Sequence, residues 1–389
     1  MRKYCNVSMY VKTVGITMSL LMLPFLQSVL AAEPINVCYT HDFSGNSASI
    51  GILQSKVVEM VVKDVNKAGG IKGRPINLII QDNASDPSKA IGIAKMFKDQ
   101  YKCKVILVDN TSTVCLALKS FADVNKIPMI ASSPQADSLT DVNKKGWFFR
   151  TCSDLSMTIN AGLARLKKLG YTKVAFEGSS LANGTQALSI IKELAPIYGI
   201  QLVYVVQVEP KTKDLSIQVR QMKDSGAQAV YTIDYEAETA VLARAIKAIG
   251  WRPYVIDHSA QCLFGALGLA PIELFESWDT IAINDPHRPL VKKIWKDVSA
   301  YMGKPCDEDE KAVKARDQVT FLVEALKVAK NLEDSTSIRD AFYNIDPKWE
   351  LAAGRLGRKG GFTMDTNTLM KVEDMVLLTV RNGKFVTAR

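Results

Sequence analysis

The chain is poor in the residues that common enzyme and metal sites need. It has only three histidines, His41, His258 and His287. They are scattered and lack the i, i+4 spacing of a zinc-binding helix. No cysteines form a C-x-x-C pair, so zinc-ribbon and thioredoxin-like spacings are missing. There is no glycine-rich dinucleotide loop, no phosphate-binding loop and no G-x-S-x-G turn. A Ser–His–Asp set could be assembled around Asp257 and His258, but no spacing calls for one. The expectation is therefore a non-enzymatic protein with no metal and no cofactor. A dense basic run interleaved with aromatics is also missing, so nucleic acid is not an expected partner. Beyond the first 31 residues no apolar run is long enough to cross a membrane.

Residues 1–31 read as a secretory leader rather than fold. Arg2, Lys3 and Lys12 form a positive start. An apolar run from Val14 to Leu30 follows, and Val29-Leu30-Ala31 gives the small-x-small pattern that precedes cleavage. Cleavage is expected after Ala31 or Ala32, which places the protein in the periplasm. The rival reading is an uncleaved anchor, because the run approaches spanning length. No cysteine follows the run closely enough to carry a lipid. Losing the three leader cations lowers the net charge from +9 to +6. Roughly 357 of the 389 residues remain, a length that suits about two domains. Six cysteines remain too: Cys38, Cys103, Cys115, Cys152, Cys262 and Cys306. An oxidising compartment permits disulfides, but six cysteines allow 15 full pairings, and buried free thiols are equally compatible.

Short aliphatic runs alternate with helical patterns. Strands are expected at 35–39, 76–81, 105–108 and 127–131, with helices at 50–68, 87–98 and 114–125 between them. Asp86-Pro87 reads as a cap followed by a first-turn proline. After a short strand at 147–150 the β-α pattern restarts, with strands at 173–176, 201–208, 229–233, 253–256 and 279–282. Repeated β-α units predict parallel sheets covered by helices on both faces. A helix at 312–329 is expected to bury one face. Asn382-Gly383 suits a two-residue hairpin between two final strands.

In such sheets ligands lie beyond the C-terminal ends of the strands. The first half offers 41–46, Thr111-Ser112-Thr113 and Ser132-Ser133-Pro134-Gln135 there. Hydroxyls and open N–H groups at a helix start would suit a carboxylate, although serine and threonine also cap helices with no ligand present. The second half offers 177–184 with Asn183, Asp234-Tyr235-Glu236 and Asp257-His258-Ser259. Tyr235 has a flat face and a hydroxyl. Asp234, Glu236, Asp257 and His258 could meet a cationic or hydrogen-bond-donating group, or could simply be solvated loop residues.

One segment is more specific: Asn66-x-x-Gly69-Gly70-Ile71-x-Gly73-Arg74, a helix end, glycine-rich turn and strand start. It occurs in order with Ser44-Gly45, Gln81-Asp82, Asp86-Pro87, Thr111-Ser112-Thr113 and Ile127-Pro128-x-Ile130. With these motifs the chain resembles, over nearly all of residues 33–389, type I periplasmic binding proteins. The subgroup is the leucine/isoleucine/valine-binding-like receptors of branched-chain amino acid ABC importers. The resemblance implies two Rossmann-like α/β lobes joined by a three-crossing hinge. Lobe 1 would take residues 33–152 and 281–362; lobe 2 would take 153–280 and 363–389. A small organic solute would bind between them for delivery to an inner-membrane permease and its ATPase, and the protein would be a monomer. A sensory receptor of the same fold is the alternative.

The same resemblance implies that Thr111, Ser112, Ser133 and Gln135 meet a ligand carboxylate. Tyr235 and Ile50 would flank the ligand. The departures bear on specificity. Asn183 stands where a tyrosine is usual, and Gln135 replaces a threonine. His258, with Asp257 beside it, stands where amino-acid receptors place an acid for the α-ammonium. The cysteine pair of those receptors falls on Ser85 and Asn110. An aromatic acid, an amide or another non-amino-acid ligand is therefore as compatible as an aliphatic amino acid.

Overall fold

A computed structural model describes residues 32–388, apart from 46, 110, 141–142, 307–308, 346–348, 355–360 and 364. The leader expected at 1–31 lies outside the described residues, and so does Asn110. Strand β1 (Ile35–His41) leads into helix α1 (Ala48–Lys67), and β2 (Ile76–Asp82) follows. The turn between α1 and β2 explains the glycines of the family-like segment. Gly69, Gly70 and Gly73 all have positive φ (100°, 74° and 77°), which glycine adopts at little cost. A Cβ on Gly70 would also strike the Arg74 carbonyl. Asn66 closes the turn by accepting from Ile76 N at 2.7 Å and donating to Ile76 O at 2.8 Å.

Helix α2 (Pro87–Asp99), β3 (Ile106–Val108), α3 (Ser112–Asn125), β4 (Met129–Ala131) and β5 (Phe148–Arg150) complete the first β-α series. Asp86 caps α2 through Ser88 N and Lys89 N. The first sheet has the order β2-β1-β3-β4-β5 and is parallel throughout. Successive residues of its strands enter different cores. Tyr39, Leu107, Ile130 and Phe149 pack on one face. Cys38, Ile106, Met129 and Phe148 pack on the other. Burial on both faces is why these strands read as unbroken apolar runs.

The second series runs through α4 (Leu155–Lys168), β6 (Lys173–Ser179), α5 (Ala182–Leu194), β7 (Gln201–Val208), α6 (Ser216–Asp224), β8 (Ala229–Ile233), α7 (Glu236–Ala248), β9 (Tyr254–Asp257), α8 (Ala260–Leu267) and β10 (Asp279–Ala282). Helices α9 (Pro289–Met302), α10 (Glu310–Val328) and α11 (Ser335–Ala341) follow, then β11 (Val376–Arg381) and β12 (Lys384–Thr387). The second sheet has the order β12-β11-β10-β9-β8-β6-β7. It is parallel up to β10 and closes with an antiparallel hairpin, so parallel pairing does not extend to its edge. Asn382 and Gly383 both take positive φ in that hairpin turn, as a primed turn requires.

The chain passes between the two lobes after β5, after β10 and before β11. Because β10 lies wholly in the second sheet, the second crossing follows Ala282 and not residue 280. Buried arginines hold the crossings together. Arg150 donates to Ala136 O (2.8 Å), Thr140 Oγ1 (3.1 Å) and Thr368 Oγ1 (3.0 Å), which joins the first crossing to the third. Arg288 at the second crossing donates to the carbonyls of Leu351, Ala352 and Gly354 at 2.7–2.9 Å. Helix α10 differs from its expected form. It is buried almost all round, including Lys311, Lys314, Asp317 and Gln318, because neighbouring polar groups meet its polar side chains.

Cys38 and Cys103 form a disulfide, and Cys115, Cys152, Cys262 and Cys306 are buried outside it. The bridge closes a loop of 65 residues. In the chain-entropy account such a loop contributes about 4 kcal/mol by restricting the unfolded chain. Replacing both cysteines by serine should lower stability to urea by about 2–4 kcal/mol. An unchanged unfolding midpoint would show that the bridge contributes nothing.

Candidate functional site

The exits of the parallel strands converge on one cavity that encloses about 480 Å³ free of protein atoms, its open mouth included. On the first-lobe side, buried Asp109 at the end of β3 accepts from Ser132 N (3.1 Å), Ser133 N (2.9 Å) and the Ser132 hydroxyl. These bonds hold the β4 exit against the β3 exit and fix Ser133 at the cavity wall. Burial raises the Asp109 pKa against the opposing hydrogen bonds from Ser132 and Ser133. The Asp42 N–H donates to His41 Nδ1 at 2.6 Å, which leaves the proton on Nε2 to face Gln54 Oε1 at 2.8 Å. Burial lowers the His41 pKa, so the ring is neutral. Gln54 Nε2 in turn donates to Ser133 Oγ at 3.1 Å.

Thr111 and Ser112 open α3 at the same wall. The Thr111 side chain makes no capping bond to its own helix, and the Ser112 hydroxyl accepts from Ala136 N at 3.2 Å. Thr111 and Ser112 at this helix start line the cavity, and a helix start favours an anion. Gln135 is held by a 3.0 Å bond from its Nε2 to Ser153 Oγ. Ile50 and Ser47 from the start of α1 complete this wall.

The opposite wall comes from the starts of α5, α7 and α8. Tyr235 donates to Asn183 Oδ1 at 3.4 Å, and burial raises the Tyr235 pKa, so the hydroxyl keeps its proton. His258 N is fixed by the Thr232 carbonyl at 3.1 Å. Burial, then the charge of Lys314, lowers the His258 pKa to about 3. Eight of the nine residues singled out from the sequence line this cavity: Ile50, Thr111, Ser112, Ser133, Gln135, Asn183, Tyr235 and His258. Asp257 does not. Its side chain lies fully buried behind the wall, where Oδ1 accepts from Ser259 N at 2.7 Å. Burial raises its pKa, and Oδ1 lies 3.8 Å from His258 Nδ1.

Sequence reading missed the part of the site built by α10. Lys314 lines the cavity although it lies about 180 residues downstream of the other first-lobe contacts. Gln261 and Cys262 from the first turn of α8 were missed as well. The signal for Lys314 was present: Lys311, Lys314 and Gln318 recur at i, i+3 and i+7 in a helix otherwise rich in alanine and valine. That spacing places them on one face. At the cavity mouth Lys311 Nζ donates to Glu236 Oε1 at 3.1 Å, and Ser49 Oγ donates to Glu236 Oε2 at 2.6 Å. Glu236 starts α7, so these two bonds join the lobes directly.

A two-lobed α/β protein with one polar cavity at its strand exits, clasped across its mouth, has the form of a solute-binding protein. The family described as periplasmic binding protein matches residues 34–384. The chain belongs to this family, in its type I, leucine/isoleucine/valine-binding-like form. It is 23% identical over 376 residues to a Leu/Ile/Val-binding protein homolog 7 from Brucella abortus, with 92% of each chain covered. It is 27% identical over 228 residues to a leucine-, isoleucine-, valine-, threonine- and alanine-binding protein from Pseudomonas aeruginosa, covering 58% of this chain and 60% of that one. The solved structure of a branched-chain amino acid ABC transporter protein from Thermus thermophilus, with bound valine, superposes with a TM-score of 0.82. The two share 17% identity, over 92% of this chain and 95% of that one.

The depressed pKa of His258 makes a testable contribution to stability. Its neutral form supports the fold fully above the unfolded value of 6.5, and that support is lost as pH falls toward about 3. For one group the cost is about 1.4 kcal/mol per pH unit. Between pH 7.5 and pH 5 the wild type should therefore lose about 2 kcal/mol more stability than His258→Gln. Parallel stability curves for the two proteins would show that His258 protonates freely in the folded state.

Proposed function

We propose that this protein is a periplasmic receptor that captures a small organic solute and delivers it to an inner-membrane ABC permease with its ATPase. The observation that carries the reading is the cavity itself. Both lobes supply its walls, and polar donors from several strand exits converge in it. The named relatives are a Leu/Ile/Val-binding protein homolog, a leucine-, isoleucine-, valine-, threonine- and alanine-binding protein and a branched-chain amino acid ABC transporter protein holding valine, which supports the same class of task. In this reading Thr111, Ser112 and Ser133, with the α3 N–H groups, hold a ligand carboxylate, and Gln135 buttresses that wall. Ile50, Asn183, Tyr235 and His258 enclose the rest of the solute. Asp257 serves only to set the backbone of Ser259.

Binding would favour the closed arrangement, because only then do both walls touch the solute at once. Glu236 supports that arrangement through Ser49 and Lys311, and the permease would read the closed form. Thr111→Ala combined with Tyr235→Ala should abolish the rise in melting temperature that a bound solute produces. Unchanged affinity in that double variant would place the ligand elsewhere. Glu236→Gln leaves the cavity walls intact and removes the charge from the clasp. It should speed solute release severalfold in stopped-flow measurements; an unchanged release rate would show that the clasp does not hold the closed form.

A further inference from the structure

The cavity has an unbalanced set of charges. Among the described residues that line it there is no aspartate and no glutamate, and one side chain is a permanent cation, Lys314. Both lining histidines are neutral, for the reasons given above. Lys314 is 3% exposed. An ammonium carries three N–H donors, yet among the described residues the nearest carboxylate oxygen is Glu310 Oε1 at 3.6 Å. That separation is an ion-pair distance beyond hydrogen-bond range, so the donors of a deeply buried cation are left to the cavity. Burial opposes the charge, but Glu310 and the other groups around Lys314 outweigh it and raise its pKa. The lysine therefore stays charged where water is scarce, an arrangement that is costly unless a partner completes it.

His258 Nδ1 and Gln261 Oε1 are also buried without a hydrogen-bond partner; the Gln261 oxygen is an acceptor, which a ligand hydroxyl would satisfy. The Asp257 carboxyl does not line the cavity: Oδ1 accepts from Ser259 N at 2.7 Å and lies 3.8 Å from His258 Nδ1, behind that ring. A ligand ammonium placed here would meet Lys314 and neutral groups, with no lining carboxylate to compensate it. A ligand oxygen placed here would complete the lysine. The start of α3 at the first-lobe wall also favours negative charge, and no acid among the described residues lines the cavity between it and Lys314.

We infer that the solute is a small organic acid without an ammonium group, carrying a carboxylate and a further acceptor oxygen, and that Lys314 selects it over the corresponding amino acid. Oxo acids, hydroxy acids and hydroxylated aromatic acids have this chemistry. A single negative charge suits the site best, because Glu310 already neutralises part of the lysine's charge. The inference rests on the receptor reading above and narrows its ligand class.

Matched pairs of probes test it by calorimetry: 4-methyl-2-oxopentanoate against leucine, and phenylpyruvate against phenylalanine, with 4-hydroxybenzoate added. The wild type should bind at least one of the acids, and bind its amino counterpart about a hundredfold more weakly or not at all. Lys314→Met should weaken the bound acid by about tenfold or more, and Lys314→Arg by less. Glu310→Gln combined with Lys314→Met avoids leaving an unpaired carboxylate, and it should show the same loss if folding of the single variant is impaired. Equal binding of acid and amino acid, unaffected by Lys314→Met, would overturn this inference and leave the receptor reading standing. A folded wild type that binds no member of either series, nor any solute in a wider thermal-shift panel, would overturn both.

Discussion

Gln318 anchors the arrangement on which the site depends. From the middle of α10 its side-chain amide donates to the carbonyls of Val108 at 3.0 Å and Ile130 at 2.7 Å. Those carbonyls lie at the end of β3 and in the middle of β4, the strands whose exits form the first-lobe wall. One buried side chain thus sets the rotation of a long helix against the sheet. With Gln318 fixed, Lys314 lies a turn earlier on the same face and enters the cavity. Lys311 lies almost two turns earlier and reaches Glu236 across the mouth. Asp317 secures the other side of the helix by accepting from Ala352 N (3.0 Å) and Ala353 N (2.7 Å). Losing Gln318 would remove its bonds to the Val108 and Ile130 carbonyls and loosen the hold on the rotation of α10.

The cavity combines rigid and movable parts. Its first-lobe wall is over-determined: Asp109 ties two strand exits together, and the His41–Gln54–Ser133 chain ties α1 to β4. The opposite wall rests on helix starts of the second lobe. Contacts between the walls are few and polar, among them Ser49 to Glu236 and the Ala182 N–H to Thr113 Oγ1 at 3.3 Å. Such contacts form and break at small net cost, because water replaces them when the cleft opens. A solute filling the space between walls then shifts the balance toward closure by touching both.

Much of the fold was legible because it rests on local periodicity. Alternating aliphatic runs and amphipathic helices gave nearly every strand and helix, and the glycines at 69, 70 and 73 mark a turn with positive φ. Strand exits could be read as candidate site positions for the same reason, since topology places them on one side of each sheet. Long-range partners were not legible. The Cys38–Cys103 bridge depends on register between β1 and the segment before β3. Asp257 and His258 are neighbours in sequence and their side chains approach to 3.8 Å, yet only His258 lines the cavity, a difference set by the backbone. Lys314 belongs to a helix that returns to the first lobe after the chain has built the second. Its role follows from tertiary packing, although its polar spacing with Lys311 and Gln318 was a trace of that role.

The central claim is that this cavity takes up a solute and that uptake draws the lobes together. Solution X-ray scattering of the purified protein, recorded alone and then saturated with the solute that binds it most tightly, measures this directly. The account predicts that the solute-free protein has the larger radius of gyration and contracts on saturation, with a scattering curve then matching the closed arrangement described above. Identical curves in both states, with binding shown to be complete, would contradict it.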